Sequence, residues 1–291
     1  MRIRKVLLST KKTALEHFKE HSDFLEDILP ARELREIRIA HEAHYATLDS
    51  IRRSLADHGI DFARSYMPYS EYEDFEGKDL IICVGGDGTV LNSSQYIRDR
   101  TPVLAVRSDK KSVGALCEID ASEFEVALNR LLMDDFKLEE WSRVEGRFRN
   151  KRLLALNEIY VGTRHSPSMA RYELSFGGKR EWQMSSGLVI SSGTGSSGWY
   201  RNIPGSQGKF PRTAKELRFM VREHNIAAKY KLTRGTIRPD GKLVIRSKMN
   251  IDGAISFDGD AGKRMFDFNR GDTLEVRLAQ LPMCVVKLGR R

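Results

Sequence analysis

Up to about residue 135 the apolar positions come in short unbroken runs, each followed by a stretch in which they recur at helical spacing. Residues 4–9, 62–67, 79–84 and 102–107 read as strands. Residues 12–29 and 31–57 read as helices, the second closing at His58-Gly59, where glycine suits a left-handed cap. Residues 90–98 read as a short helix, and Ser122 with Glu125 three positions on makes a capping box for a helix ending near Met133. Such alternation predicts a parallel sheet covered by helices over residues 1–135.

Beyond residue 136 the runs shorten. Residues 136–148, 153–161, 172–176, 187–191, 242–245, 255–258, 273–278 and 283–288 read as strands separated by turns such as Gly177-Gly178 and Asp240-Gly241. One helical interval, 213–225, is polar on most faces. The expectation is a β-rich second domain over 136–291, its last strand packing back on the first.

A chain of 291 residues with 40% hydrophobic content buries a proper core. It contains no apolar run of about 18 residues, and charges soon interrupt its N-terminal apolar stretch, so neither a spanning helix nor a secretory signal is expected. Glu16 and Glu20 argue against a transit peptide, which leaves the cytoplasm as the expected compartment. Cys83, Cys117 and Cys284 are far apart and the histidines form no metal-ligand spacing, so no zinc site or disulfide framework is expected. The net charge of +9 is dispersed, with no arginine-rich tract or interleaved aromatics, so neither nucleic acid nor membrane is an expected partner. A positive field still attracts small polyanions.

The run IICVGGDGTVL at 81–91 changes the picture. A strand buried on both faces ends at the crevice of an open parallel sheet, and the glycines let backbone N–H groups approach a phosphate and permit positive φ. Asp87 is the unusual residue, because phosphate repels a carboxylate. It either caps the following helix or faces a hydroxyl or metal ion, and as a hydroxyl acceptor it would act as a general base. The segment SSGLVISSGTGSSGW at 185–199 repeats the design, with hydroxyls and N–H groups suited to phosphate and ribose and Trp199 suited either to stack on a base or to pack in the core. Two such loops suggest a nucleotide or polyphosphate cleft between the halves. Between them, Asn157 and Glu158 interrupt an apolar strand. An amide can read an adenine edge and a carboxylate can accept from ribose, while an exposed edge strand explains Glu158 equally well.

GGDGT at 85–89, Asn157-Glu158, SGTGSSGW at 192–199 and Phe257-Asp258-Gly259 occur in the order and spacing that resembles the NAD kinase family. Ser186-Gly187, Trp199 and the segment 217–223 are similar to its mitochondrial-type branch, and residues 106–117 lack the family's usual glycine–leucine–glycine–phenylalanine run, offering Arg107, Lys110 and Lys111 instead. The resemblance implies an α/β N-terminal domain with a Rossmann-like parallel sheet plus a β-rich C-terminal domain, and phosphoryl transfer from ATP or polyphosphate to the 2′-hydroxyl of the adenosine ribose of NAD. It further implies Asp87 as proton acceptor, Gly86, Gly88 and Thr89 at the donor phosphates, and Asn157 and Glu158 at adenine and ribose. Thr194, Gly195 and Ser196 would hold the dinucleotide, Trp199 would wall the pocket, and Asp258 lies either near phosphates or in an ordinary turn. Mg²⁺ would arrive with ATP, and association would be as a homodimer or higher homo-oligomer. Two alternatives stay open: a diacylglycerol-type lipid kinase, which shares GGDGT, and a non-catalytic NAD or NADP-binding module.

Overall fold

The computed structural model describes residues 2–21, 29–67, 69–165, 168–259 and 264–289. The chain divides into two compact units, one of Met1–Glu139 with Cys284–Arg291, the other of Glu140–Met283.

In chain order the first unit holds β1 Lys5–Thr10, α1 Ala14–His21, α2 Ala31–Asp57, β2 Asp61–Tyr66, α3 Tyr72–Phe75, β3 Leu80–Gly85, α4 Asp87–Ser94, β4 Val103–Arg107, β5 Ile119–Asp120 and α5 Phe124–Leu132. Residues 22–28 of the expected first helix lie outside the described residues. The sheet order is β2-β1-β3-β4, continued by the returning strand 283–287 and by 137–141, with β5 on β4. β1 to β4 are parallel. β3 is buried along its whole length, as its unbroken apolar run requires. Leu80, Ile82 and Val84 pack with Leu48, Ile51 and Leu55 of α2 and Phe124, Leu128 and Leu131 of α5. Gly59, at φ +66°, follows α2 as expected.

Two boundaries differ from the sequence expectation. α4 begins at Asp87, three residues before the expected 90, so the GGDGT loop runs into the helix's first turn. The capping box lies at Asp120 and Glu123, not at Ser122 and Glu125: Asp120 ends β5, its N–H donates to Glu123 at 2.8 Å, and a 3₁₀ turn precedes α5. Glu125 instead accepts the Ser54 hydroxyl of α2.

The remaining strands are β6 Lys137–Trp141, β7 Val144–Phe148, β8 Lys151–Ala155, β9 Glu158–Thr163, β10 Ala170–Phe176, β11 Lys179–Ser185, β12 Leu188–Ser191, β13 Leu217–Val221, β14 Arg234–Ile237, β15 Leu243–Ser247, β16 Gly253–Phe257, β17 Met265–Asp267, β18 Thr273–Leu278 and β19 Met283–Lys287. The second unit stacks two antiparallel sheets, β11-β10-β15-β18-β7-β8 and β14-β13-β12-β9-β16-β17, over one core. Alternation sends Ile159, Val161, Leu188, Ile190, Phe219, Ile255 and Phe257 of the second sheet into that core. The expected helix at 213–225 is a strand, β13, because Leu217, Phe219 and Val221 alternate inward while the backbone pairs with β12 and β14. The expected continuous strand at 153–161 breaks after Ala155: β8 belongs to one sheet and β9 to the other, with Leu156 and Asn157 making the crossing.

Candidate active site

In the first unit the site grows from the carboxyl end of β3. Neither Gly85, Gly86 nor Gly88 takes a positive φ, contrary to expectation. Their role here is space. A Cβ on Gly85 would lie 2.1 Å from the Thr89 hydroxyl oxygen, whereas a Cβ on Gly88 would meet nothing within 4 Å, so the first turn of α4 opens onto free volume. Thr89 and Val90 donate their N–H groups to Gly86 O, which leaves those of Asp87 and Gly88 without a partner inside the helix. The half-buried Asp87 makes no side-chain cap, and its Oδ1 accepts the Leu116 N–H at 2.8 Å. That bond fixes the carboxylate and leaves Oδ2 without a hydrogen bond among the described residues. The Thr89 hydroxyl is buried and unpartnered among the described residues.

In the second unit the crossing between β8 and β9 is built around Asp258. Its buried carboxylate accepts the N–H groups of Leu156 at 2.9 Å, Asn157 at 2.7 Å and Glu158 at 3.2 Å, and pairs with Arg264 Nη1 at 3.2 Å. Asp258 itself adopts φ +55°, and its N–H donates to Glu158 O. Burial raises its pKa, while the Arg264 guanidinium and the three N–H donors oppose that rise. Asp258 therefore shapes the turn that presents Asn157 and Glu158.

The serine-rich loop closes on the same turn. Ser192 donates its N–H to Asn157 O at 2.8 Å and its hydroxyl to Leu156 O at 2.5 Å, and its hydroxyl oxygen accepts the N–H of Thr194 at 3.1 Å. Gly195 is there because a Cβ would lie 2.5 Å from Asn157 O and 2.7 Å from Glu158 Oε2. Ser196 is occupied by its own loop, donating to Gly193 O and accepting from Phe210 N–H. Trp199 is exposed, with its ring 5.0 Å from that of Tyr160 and the Arg222 guanidinium 5.0 Å from it. Glu158, only 8% exposed, has its pKa pushed up to about 8 by burial and then by the charge of Asp258.

The structure thus gathers Asn157, Glu158, Thr194, Gly195, Ser196 and Asp258 in the second unit, and Gly86, Asp87, Gly88 and Thr89 in the first. Asn157 Oδ1 and the Thr194 hydroxyl, like that of Thr89, are buried polar atoms with no partner among the described residues. Folded proteins rarely leave such atoms unmet, so they mark places where a ligand or water supplies the missing bond. Arg264 escaped the sequence reading, and Ser192, though the first residue of the SGTGSSGW motif, was given no role of its own, since both act through contacts with Leu156 and Asp258 that no motif spacing reveals. Among the described residues no group of three or more His, Cys, Asp or Glu is placed to hold a metal ion.

A parallel sheet ending in a glycine loop with one fixed carboxylate, together with a hydroxyl-rich loop on a β-rich unit, describes a nucleotide-dependent phosphotransferase. Residues 8–136 match the model of the ATP-NAD kinase N-terminal domain. The chain is 29% identical over 226 residues to an NAD kinase of Heliobacterium modesticaldum, covering 73% of this chain and 75% of that protein. It is 30% identical over 224 residues to a "Probable NADH kinase" of Oryza sativa subsp. japonica, covering 68% and 67% respectively. Among solved structures it resembles an NAD kinase from Archaeoglobus fulgidus in complex with ATP, with a TM-score of 0.68, 18% identity and coverage of 97% and 92%. It also resembles yeast NADH kinase complexed with NADH, with a TM-score of 0.73, 14% identity and coverage of 99% and 84%. The chain belongs to the NAD kinase family, whose members are enzymes that phosphorylate NAD.

Proposed function

We propose that this chain transfers the terminal phosphoryl group of ATP–Mg²⁺, or of inorganic polyphosphate, to the 2′-hydroxyl of the adenosine ribose of NAD, giving NADP. The observation that carries the reading is Asp87: one carboxylate oxygen is pinned by the Leu116 N–H while the other has no hydrogen bond among the described residues, at the start of a helix that opens onto free space. In the reaction the O2′–P bond forms and the bond from the terminal phosphorus to its bridging oxygen breaks. The hydroxyl proton passes to Asp87 Oδ2, and the α4 N–H groups of Asp87 and Gly88, with the Thr89 hydroxyl, take the donor oxygens. Gly86 lets the chain enter the helix in extended backbone, at φ −126°. Asn157 reads adenine and Glu158 the ribose, with Thr194, Gly195 and Ser196 around the dinucleotide and Trp199 at its rim. Mg²⁺ enters with the donor: a single loop carboxylate suits an ion that keeps waters and phosphate oxygens as most of its ligands.

Membership of the mitochondrial-type branch is part of the proposal, supported by Ser186-Gly187, Trp199 and the likeness to the rice chain. Incubation with γ-labelled ATP–Mg²⁺ and NAD, NADH or diacylglycerol tests the whole reading. Label on the 2′-oxygen of the dinucleotide is the expected result, and NADH accepted at least as well as NAD supports the branch. Label only on the lipid, or none transferred, overturns the function.

A further inference from the structure

The charged residues of the first unit are mostly spoken for. Lys12 pairs with Glu20, Lys111 with Glu36 at 3.4 Å, Lys287 with Glu118, and Arg107 holds Asp120 through two bonds of 2.6 and 2.9 Å. Two of the three cations that the sequence offered at 107–111 are therefore held by carboxylates. Lys11 is different. It is half-buried and pairs with no carboxylate among the described residues.

Its position follows from the strand ends. β1 and β3 run parallel with Thr10 beside Val84 as their last pair, so Lys11 is the first residue past β1 at the same carboxyl end of the sheet at which Gly85 opens the GGDGT loop, the end where ligands bind. The loop below is polar and closed: Ser108 donates its N–H to Gly85 O at 3.0 Å, and its hydroxyl bonds the Nδ1 of the fully buried His44 at 3.0 Å. The charge of Lys11 reaches both His44, which burial holds neutral with its pKa down at about 4, and Cys117, which also feels Asp87. A second, independent sign of a ligand is the Thr89 hydroxyl in the same loop, 3% exposed and unpartnered among the described residues.

We propose that Lys11 is a donor-binding residue whose ammonium holds a terminal phosphate oxygen of the polyphosphate donor beside the start of α4. The proposal rests on the kinase reading for its donor, and it adds the cation that a loop built around a carboxylate needs before a polyanion can settle there.

Calorimetry with ATP–Mg²⁺, with inorganic tripolyphosphate and with NAD on wild type, K11M, K11R and K111M tests it, alongside steady-state rates. K11M is expected to weaken both polyphosphates and raise the KM for ATP by about tenfold or more, the scale of a charge-assisted hydrogen bond, with NAD affinity unchanged. K11R should recover most of the loss and K111M should match wild type. Unaltered polyphosphate affinity in K11M, or an equal loss of NAD affinity, overturns the proposal. If K11M does not fold, K11Q takes its place with the same outcomes. Wild type that binds tripolyphosphate but forms no NADP would sink the kinase reading while leaving the assignment of Lys11 to be decided by the binding arm.

Discussion

At Glu158, burial and the neighbouring Asp258 both work against the ionised carboxyl, which pushes its pKa up from 4.5 to about 8. A carboxyl whose folded-state pKa is raised keeps its proton in the folded protein where the unfolded chain has lost it. Its contribution to stability is complete below about pH 4.5 and is lost as the pH rises through about 8. Glu158→Gln removes that titration. Chemical denaturation at a series of pH values should therefore show wild type losing more stability than the variant between about pH 5 and about pH 8. Parallel curves would mean that Glu158 ionises normally. The same residue shows where sequence reading stops. Asn157-Glu158 was visible as a polar interruption of an apolar run, but its cause was not, because the carboxylate that bends the chain there is Asp258, about a hundred positions away.

Among the elements, those defined by local chemistry were legible: β3 from its unbroken apolar run, α2 with its closing glycine, and the hairpin turn at Gly177-Gly178, where both glycines take positive φ. Elements defined by pairing were not. β13 is rich in residues that also suit a helix, and its partners β12 and β14 decide the matter. β11 carries Lys179, Arg180 and Glu181 on the edge of its sheet, so its polarity concealed a strand. The serine-rich loop was recognised by its glycines, yet the reason for Gly195 is steric contact with the Asn157 carbonyl. Gly195→Ala should force that carbonyl aside, lowering stability by about 1–3 kcal/mol and weakening NAD binding. Thermal denaturation and calorimetry with NAD check this. Wild-type values in both would mean that the loop and the β8–β9 turn do not depend on each other.

For the molecule as a whole, each unit carries its own core. In the proposed reaction the first unit would supply the proton acceptor and the donor-phosphate loop, and the second the dinucleotide loop. The net charge of +9 gave no motif for nucleic acid, and its expected effect is on encounter with anionic substrates. kcat/KM for NAD should fall as ionic strength rises from about 0.05 to about 0.5 M, where the Debye length shortens several-fold. A flat profile would remove charge steering from the account. The central claim is that Asp87 accepts the proton of the attacking ribose hydroxyl, and Asp87→Asn, with rates of NADP formation measured beside NAD affinity by calorimetry, tests it most directly. The account predicts turnover down about a hundredfold or more with the dissociation constant for NAD nearly unchanged. NADP formation at the wild-type rate in that variant would contradict it.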